Sequence, residues 1–340
     1  MSRSFRSGRL ATGIGLALAA SMAVAPTGLA QADPTEEPTP LKVGLGFIPS
    51  VQFAQFYLAD QAGCYEEAGV AVTFENKIDP ELITLLGQGA VDVGMADGTS
   101  LIPAVSQGIP VRYGTTVYGD FPNVVFALAD SGIETVADLE GQRIGIPGRF
   151  GSSWVMLQAL LASEGLTVDD VEVVTYPDFG QRVAVEQGQV DAATGFINNE
   201  PVQLAQAGLA VNVLRVDEVA PLPGPGLATG VDTLAQKPEA LQAFATATVR
   251  AMEAIAADPQ LGLEATFQRV PELASDPETQ LAVLEATIEA WLSDHALEQG
   301  IGAIDRSVWQ SGLDIMSSLP DSVVAESLTV DDLVTDELQP

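Results

Sequence analysis

From Leu41 onward, short apolar runs alternate with longer stretches whose apolar residues return every three or four positions. The short runs predict strands at Leu41–Gly46, Val70–Glu75, Val91–Met95, Val111–Tyr118, Arg143–Ile146, Val171–Tyr176, Val190–Thr194 and Val211–Arg215. The periodic stretches between them predict helices over 53–62, 80–88, 99–107, 152–165, 181–187 and 200–207. Phe53, Phe56 and Tyr57 share one face of the first, and Trp154, Leu157, Leu160 and Leu161 one face of the fourth. Strands alternating with helices of this length specify an α/β fold. Beyond the Pro/Gly cluster at 221–226 the pattern turns helical, over 238–257, 261–267, 277–292 and 305–319.

The pattern also repeats. Lys42-Val43-Gly44-Leu45-Gly46 returns as Arg143-Ile144-Gly145-Ile146-Pro147-Gly148, and Gln88-Gly89-Ala90-Val91-Asp92 as Gln187-Gly188-Gln189-Val190-Asp191. In the second phrase a helix ends at a glycine and a strand follows. Two similar units predict two lobes, and two lobes predict a cleft. Asn123–Leu128 reads as the crossing into the second lobe and Pro221–Gly226 as the return. The expected division is lobe one at 41–124 with 226–330, lobe two at 125–225, and a loose acidic tail at 331–340. Two crossings between rigid lobes make a hinge.

The ends and the charge change the picture next. Arg3, Arg6 and Arg9 precede an apolar run from Ile14 to Ala25, and Ala30-Gln31-Ala32 is a cleavage site, so residues 1–32 read as a signal peptide. Pro26-Thr27-Gly28 ends the run short of the about 20 residues a membrane span needs. The expectation is an exported protein, in the periplasm or at the outer face of the cell membrane, with a flexible leader at 33–40. The single cysteine, Cys64, excludes an internal disulfide and leaves no lipid acceptor at the cleavage site. With 46 acidic against 14 basic residues the formal charge is −32, which repels nucleic acid and anionic headgroups. No nucleic-acid partner, cofactor or metal is expected, and the chain is expected to be a monomer.

Ligands of α/β lobes gather beyond the C-terminal ends of strands and at helix N-termini. Four stretches meet that condition. Phe47, Ser50, Gln52 and Phe53 follow the first strand; Asp97, Thr99 and Ser100 open a helix after the third. Phe150, Gly151, Ser152, Ser153 and Trp154 follow the repeated strand, and Asn198, Asn199 and Glu200 follow Val190–Thr194. Tyr118 adds an aromatic at the end of its strand. Several of these have a purely structural reading beside the functional one. Asp97, Thr99, Ser152 and Ser153 are good N-caps, Trp154 and Phe53 have core spacing, and Glu200 suits a helix's first turn. The set is aromatic, amide, hydroxyl and carboxylate, which suits a flat neutral heterocycle. An anion would instead use Arg149 with the helix start at Gly151–Ser153.

Taken in order, Lys42–Pro49, Gly63-Cys64-Tyr65-Glu66-Glu67-Ala68-Gly69-Val70, Gln88–Gly94 and Val136–Gly145 resemble the solute-binding subunits of ABC importers. The similar branch includes sulfonate, thiamine-pyrimidine and riboflavin binders, and the resemblance covers Leu41 to Ala257. It implies the two-lobed periplasmic-binding-protein fold, each lobe a sheet flanked by helices, with two hinge crossings. It also implies capture of a small-molecule ligand by hinge closure, and an ABC permease with its ATPase subunits as partners. Phe47-Ile48-Pro49-Ser50-Val51-Gln52-Phe53 lies where pyrimidine-precursor binders carry an aromatic-x-Pro-Asn-Thr-Asn-His loop; Phe47 and Pro49 match and the rest depart. Relatives that make the pyrimidine use that His and a Cys cluster. Here Phe53 holds the position, the lone His295 is distant and Cys64 stands alone, so binding is implied and turnover is not. A thiamine pyrimidine precursor or riboflavin is the implied ligand, with a sulfonate or taurine-like anion as the alternative.

Overall fold

The computed structural model describes residues 37–76, 81–319 and 322–340. The expected signal peptide and residues 33–36 of the leader lie outside them. The strands in chain order are β1 (Thr39–Leu45), β2 (Val70–Asn76), β3 (Val93–Ala96), β4 (Val111–Thr116), β5 (Asn123–Leu128), β6 (Arg143–Ile146), β7 (Glu172–Thr175), β8 (Ala192–Phe196), β9 (Val211–Arg215) and β10 (Gly226–Gly230). They form two five-stranded sheets with one plan, β2-β1-β3-β10-β4 and β7-β6-β8-β5-β9. In each, three parallel strands are followed by an antiparallel one, β10 or β5. Helices cover the sheets, giving the α/β class expected.

The repeated phrases have a physical meaning here. Asp92 accepts the backbone N–H of Lys42 at 2.8 Å, and Asp191 that of Arg143 at 2.9 Å. Each aspartate then takes a cation, Lys237 Nζ at 2.8 Å in one lobe and Arg143 Nη2 at 2.8 Å in the other. The repeat is a staple between the first and third parallel strands of each lobe. Gly89 and Gly188, at φ 67° and 66°, sit in the left-handed conformation that ends the preceding helix.

Four expectations need correction. Asn123–Leu128 is a buried strand, and the crossing is the loop before it, residues 117–122. Gly226, taken as the end of the Pro221–Gly226 breaker, instead opens a fully buried strand, Gly226–Gly230, inside the first sheet. Thr39 and Pro40 belong to β1, paired with Val70 and Ala71, and not to the leader. The tail is packed: Leu333 and Leu338 are buried, Tyr113 N–H donates to Leu333 O at 2.9 Å, and Thr115 Oγ1 donates to Leu338 O at 2.6 Å. Its carboxylates face outward, where Arg306 pairs with Asp331 and Asp336.

One apolar cluster lies between the first sheet and the C-terminal helices, around Phe56, Tyr65, Phe244 and Trp291. A second runs through both lobes, joining Leu101 and Ile102 to Met156 and Leu157. No helix among the described residues is long and apolar enough to cross a membrane.

Candidate functional site

A cavity of about 160 Å³ lies between the lobes, room for on the order of ten water positions. The first lobe contributes the loop after β1 (Gly46, Phe47, Gln52, Phe53), the end of β3 (Met95, Ala96, Asp97) and Tyr118 from the crossing. The second contributes Pro147 and Phe150–Ser153 after β6, Phe179 and Gln181 after β7, and Gly195, Phe196, Asn199 and Glu200 after β8. Parallel strands place their C-terminal ends on one side of a sheet, so both lobes present these loops to the same gap.

Glu200 opens helix α1 (Glu200–Gln206), which begins with Pro201 in its first turn. Its Oε2 accepts the Phe196 N–H at 2.9 Å and its Oε1 the Asn199 side-chain amide at 3.2 Å. Burial pushes the carboxyl above its ordinary range, and these N–H donors oppose the shift. Gly195 makes room for it: a Cβ there would stand 2.7 Å from Glu200 Oε2. Asp97, the second buried carboxylate, accepts Thr99 Oγ1–H at 2.6 Å and Ser100 N–H at 3.0 Å. Burial raises it too, against those same donors.

Six aromatic side chains face the cavity: Phe47, Phe53, Tyr118, Phe150, Phe179 and Phe196. Phe47 and Phe179 meet across the lobes edge to face, centroids 4.9 Å apart at 86°. A flat ring held between two faces needs them about 7 Å apart, so this pair is a wall and not a slot. Phe179 has φ 60°, the only non-glycine among the described residues in the left-handed region. A bulky residue held there stores about 1–3 kcal/mol and marks a surrounding structure that enforces it. Tyr118 and Phe196 form a second cross-lobe pair at 6.4 Å and 75°.

Eleven of the residues expected from sequence therefore face the cavity: Phe47, Gln52, Phe53, Asp97, Tyr118, Phe150, Gly151, Ser152, Ser153, Asn199 and Glu200. Five do not. Ser50 accepts the Gln52 N–H and caps a helical turn, while Thr99 and Ser100 are occupied with Asp97. Trp154 packs beside the second core with Arg149 over its ring at 5.2 Å. Asn198 is fully buried and points its amide into the first lobe. Sequence reasoning missed Phe179, Gln181, Phe196, Met95 and Pro147. Phe179 follows a strand, so the rule that found the other loops would have reached it. Phe196 ends its own strand beside the stretch already chosen. No Lys, Arg or His lines the cavity among the described residues.

Residues 50–261 match the model of the NMT1/THI5-like family. The chain belongs to that family. It is 34% identical over 293 residues to riboflavin-binding protein RibY of Chloroflexus aurantiacus, covering 84% of this chain and 83% of that one. It is 32% identical over 231 residues to the 4-amino-5-hydroxymethyl-2-methylpyrimidine phosphate synthase of Aspergillus parasiticus, covering 62% of this chain and 65% of that protein. Among solved structures, the alkanesulfonate-binding protein SsuA of Xanthomonas axonopodis pv. citri superposes with a TM-score of 0.68 at 20% identity, over 88% of this chain and 99% of that one. The architecture of this NMT1/THI5-like chain is that of the periplasmic binding proteins.

Proposed function

We propose that this protein is the exported solute-binding subunit of an ABC importer, and that its cleft holds a flat, neutral heterocycle of the riboflavin or thiamine-pyrimidine kind. The observation that carries the reading is the composition of the cavity wall: six aromatic rings, two buried carboxylates, side-chain amides and no cation among the described residues. Rings stack on aromatic faces, while ring N–H and amino groups need acceptors such as Glu200. The likeness to a riboflavin-binding protein supports the same class.

The sulfonate reading finds less support, because Arg149 lies over Trp154 and outside the cavity wall. The synthase reading needs a reactive His or Cys at the site. Phe53 occupies the loop position, and the Cys64 thiol is pushed up by burial and by Glu67, away from the thiolate form a nucleophile needs. We further propose capture by lobe closure, delivery to a permease, and a monomeric state.

A thermal-shift series tests the reading. A ligand that binds only the folded state adds about 2.7 kcal/mol at a hundredfold excess over Kd, a rise of several degrees. Riboflavin or the aminopyrimidine should give that rise and ethanesulfonate should not. The reverse order would overturn the proposal.

A further inference from the structure

Asn198 stands two residues before Glu200 yet does not line the cavity, and its surroundings belong to the other lobe. Its Nδ2 donates to Thr287 Oγ1 at 2.7 Å and to Gln52 Oε1 at 3.1 Å, with Tyr118 Oη at 3.4 Å. An amide carries two hydrogens, so the two shorter contacts take both. The acceptors are fixed in advance. Thr287 donates its own hydroxyl to Val283 O at 2.7 Å, and Gln52 Nε2 donates to Ser50 Oγ at 3.1 Å. Thr287 lies on helix α2 (Pro277–Trp291), far from Gln52 in the chain, and all four side chains are buried. Val202, one turn further along α1, packs on the first-lobe core. A second-lobe segment is thus docked into the first lobe by side-chain hydrogen bonds and apolar packing.

We propose that Asn198 is an interlobe latch: its hydrogen bonds favour the closed arrangement of the lobes and set solute affinity without touching the solute. The segment it anchors carries Asn199 and Glu200 into the cavity wall, so closing the latch also assembles the site. Apparent affinity falls in proportion to the fraction of molecules in the binding-competent form, so a residue remote from the ligand acts through that fraction.

The inference rests on the cleft being the solute site, but its first test needs no solute. In small-angle scattering measured without solute, Asn198→Ala should give a larger radius of gyration than the parent. Thr287→Val removes one acceptor at nearly constant volume and should shift the radius the same way by less; it serves also if Asn198→Ala fails to fold. With riboflavin as the probe, Asn198→Ala should weaken Kd about tenfold, mainly through faster dissociation. Combined with Thr287→Val, the loss should be smaller than the product of the two, since they share a bond. Asn198→Ala scattering that overlays the parent's overturns the latch. If riboflavin does not bind while the radius responds as stated, the latch stands and the heterocycle reading fails.

Discussion

Glu200→Gln is the substitution whose two effects should have opposite signs. The amide keeps the side chain's shape and its Oε1 can still accept the Phe196 N–H, now 2.9 Å from Oε2. What is lost is the negative charge and the second acceptor, which the Asn199 amide uses at 3.2 Å. A hydrogen bond between a ligand N–H and a carboxylate contributes about 1.5–3 kcal/mol, and 1.4 kcal/mol is tenfold in Kd. Affinity for the heterocycle should therefore fall about tenfold to a hundredfold. Stability should move the other way. Burial raises the Glu200 carboxyl, so the folded protein holds its proton to higher pH than the unfolded chain does. A group of that kind favours the fold most below its unfolded pKa, and the advantage is lost as pH rises through the raised value. At neutral pH the charged form is the strained one, and Gln removes it, so the variant should melt no lower than the parent. Calorimetric titration gives the first effect and melting at neutral pH the second. In the parent, affinity should also drop as pH falls through the raised pKa, and in the variant that dependence should disappear. Unchanged or tighter binding by Glu200→Gln would refute the assignment and favour an anionic ligand.

Three further outcomes are expected. Arg149→Ala removes a cation over the Trp154 ring, a contact of about 0.5–1 kcal/mol where exposed, and should leave riboflavin affinity within twofold by titration. Phe179→Gly relieves the φ 60° backbone but loses the edge-to-face contact with Phe47, about 0.5–1.5 kcal/mol; urea unfolding should show little change while ligand dissociation accelerates. Gly195→Ala forces a Cβ to 2.7 Å from Glu200 Oε2 and 2.8 Å from the Phe126 ring, so its urea midpoint should fall by about 1–3 kcal/mol equivalent, with weakened binding.

Much of the fold was legible because strand and helix periods differ and because the basic-residue and Asp phrases recur where each lobe is stapled. The strand β10 was hidden for a physical reason. Its five residues are all buried, so Gly-Leu-Ala-Thr-Gly shows no alternation, and its glycines are there because backbone crowds them: a Cβ at Gly226 would meet Thr115 O at 2.2 Å, and one at Gly230 would meet Leu86 O at 2.3 Å. The tail misled because composition was read without tertiary context; Asp331 and Asp336 advertise solvent while Leu333 and Leu338 do the packing. At the site, the strand-end rule reached most of the wall. It could not tell Asn198 from Asn199, since which of two adjacent amides turns into the cavity depends on a backbone bend, φ −125° and ψ −85° at Asn199, that no local pattern announces.

The central claim is that the cavity between the lobes takes a flat heterocycle through aromatic faces and buried carboxylates. Titration of the purified protein with riboflavin, followed by flavin fluorescence and by calorimetry, addresses it directly. The account predicts saturable one-to-one binding with fluorescence quenched by stacking on the cleft aromatics, and competition by the aminopyrimidine if the site serves both. Saturable binding of ethanesulfonate, with no heat and no quenching from riboflavin or the aminopyrimidine, would contradict it.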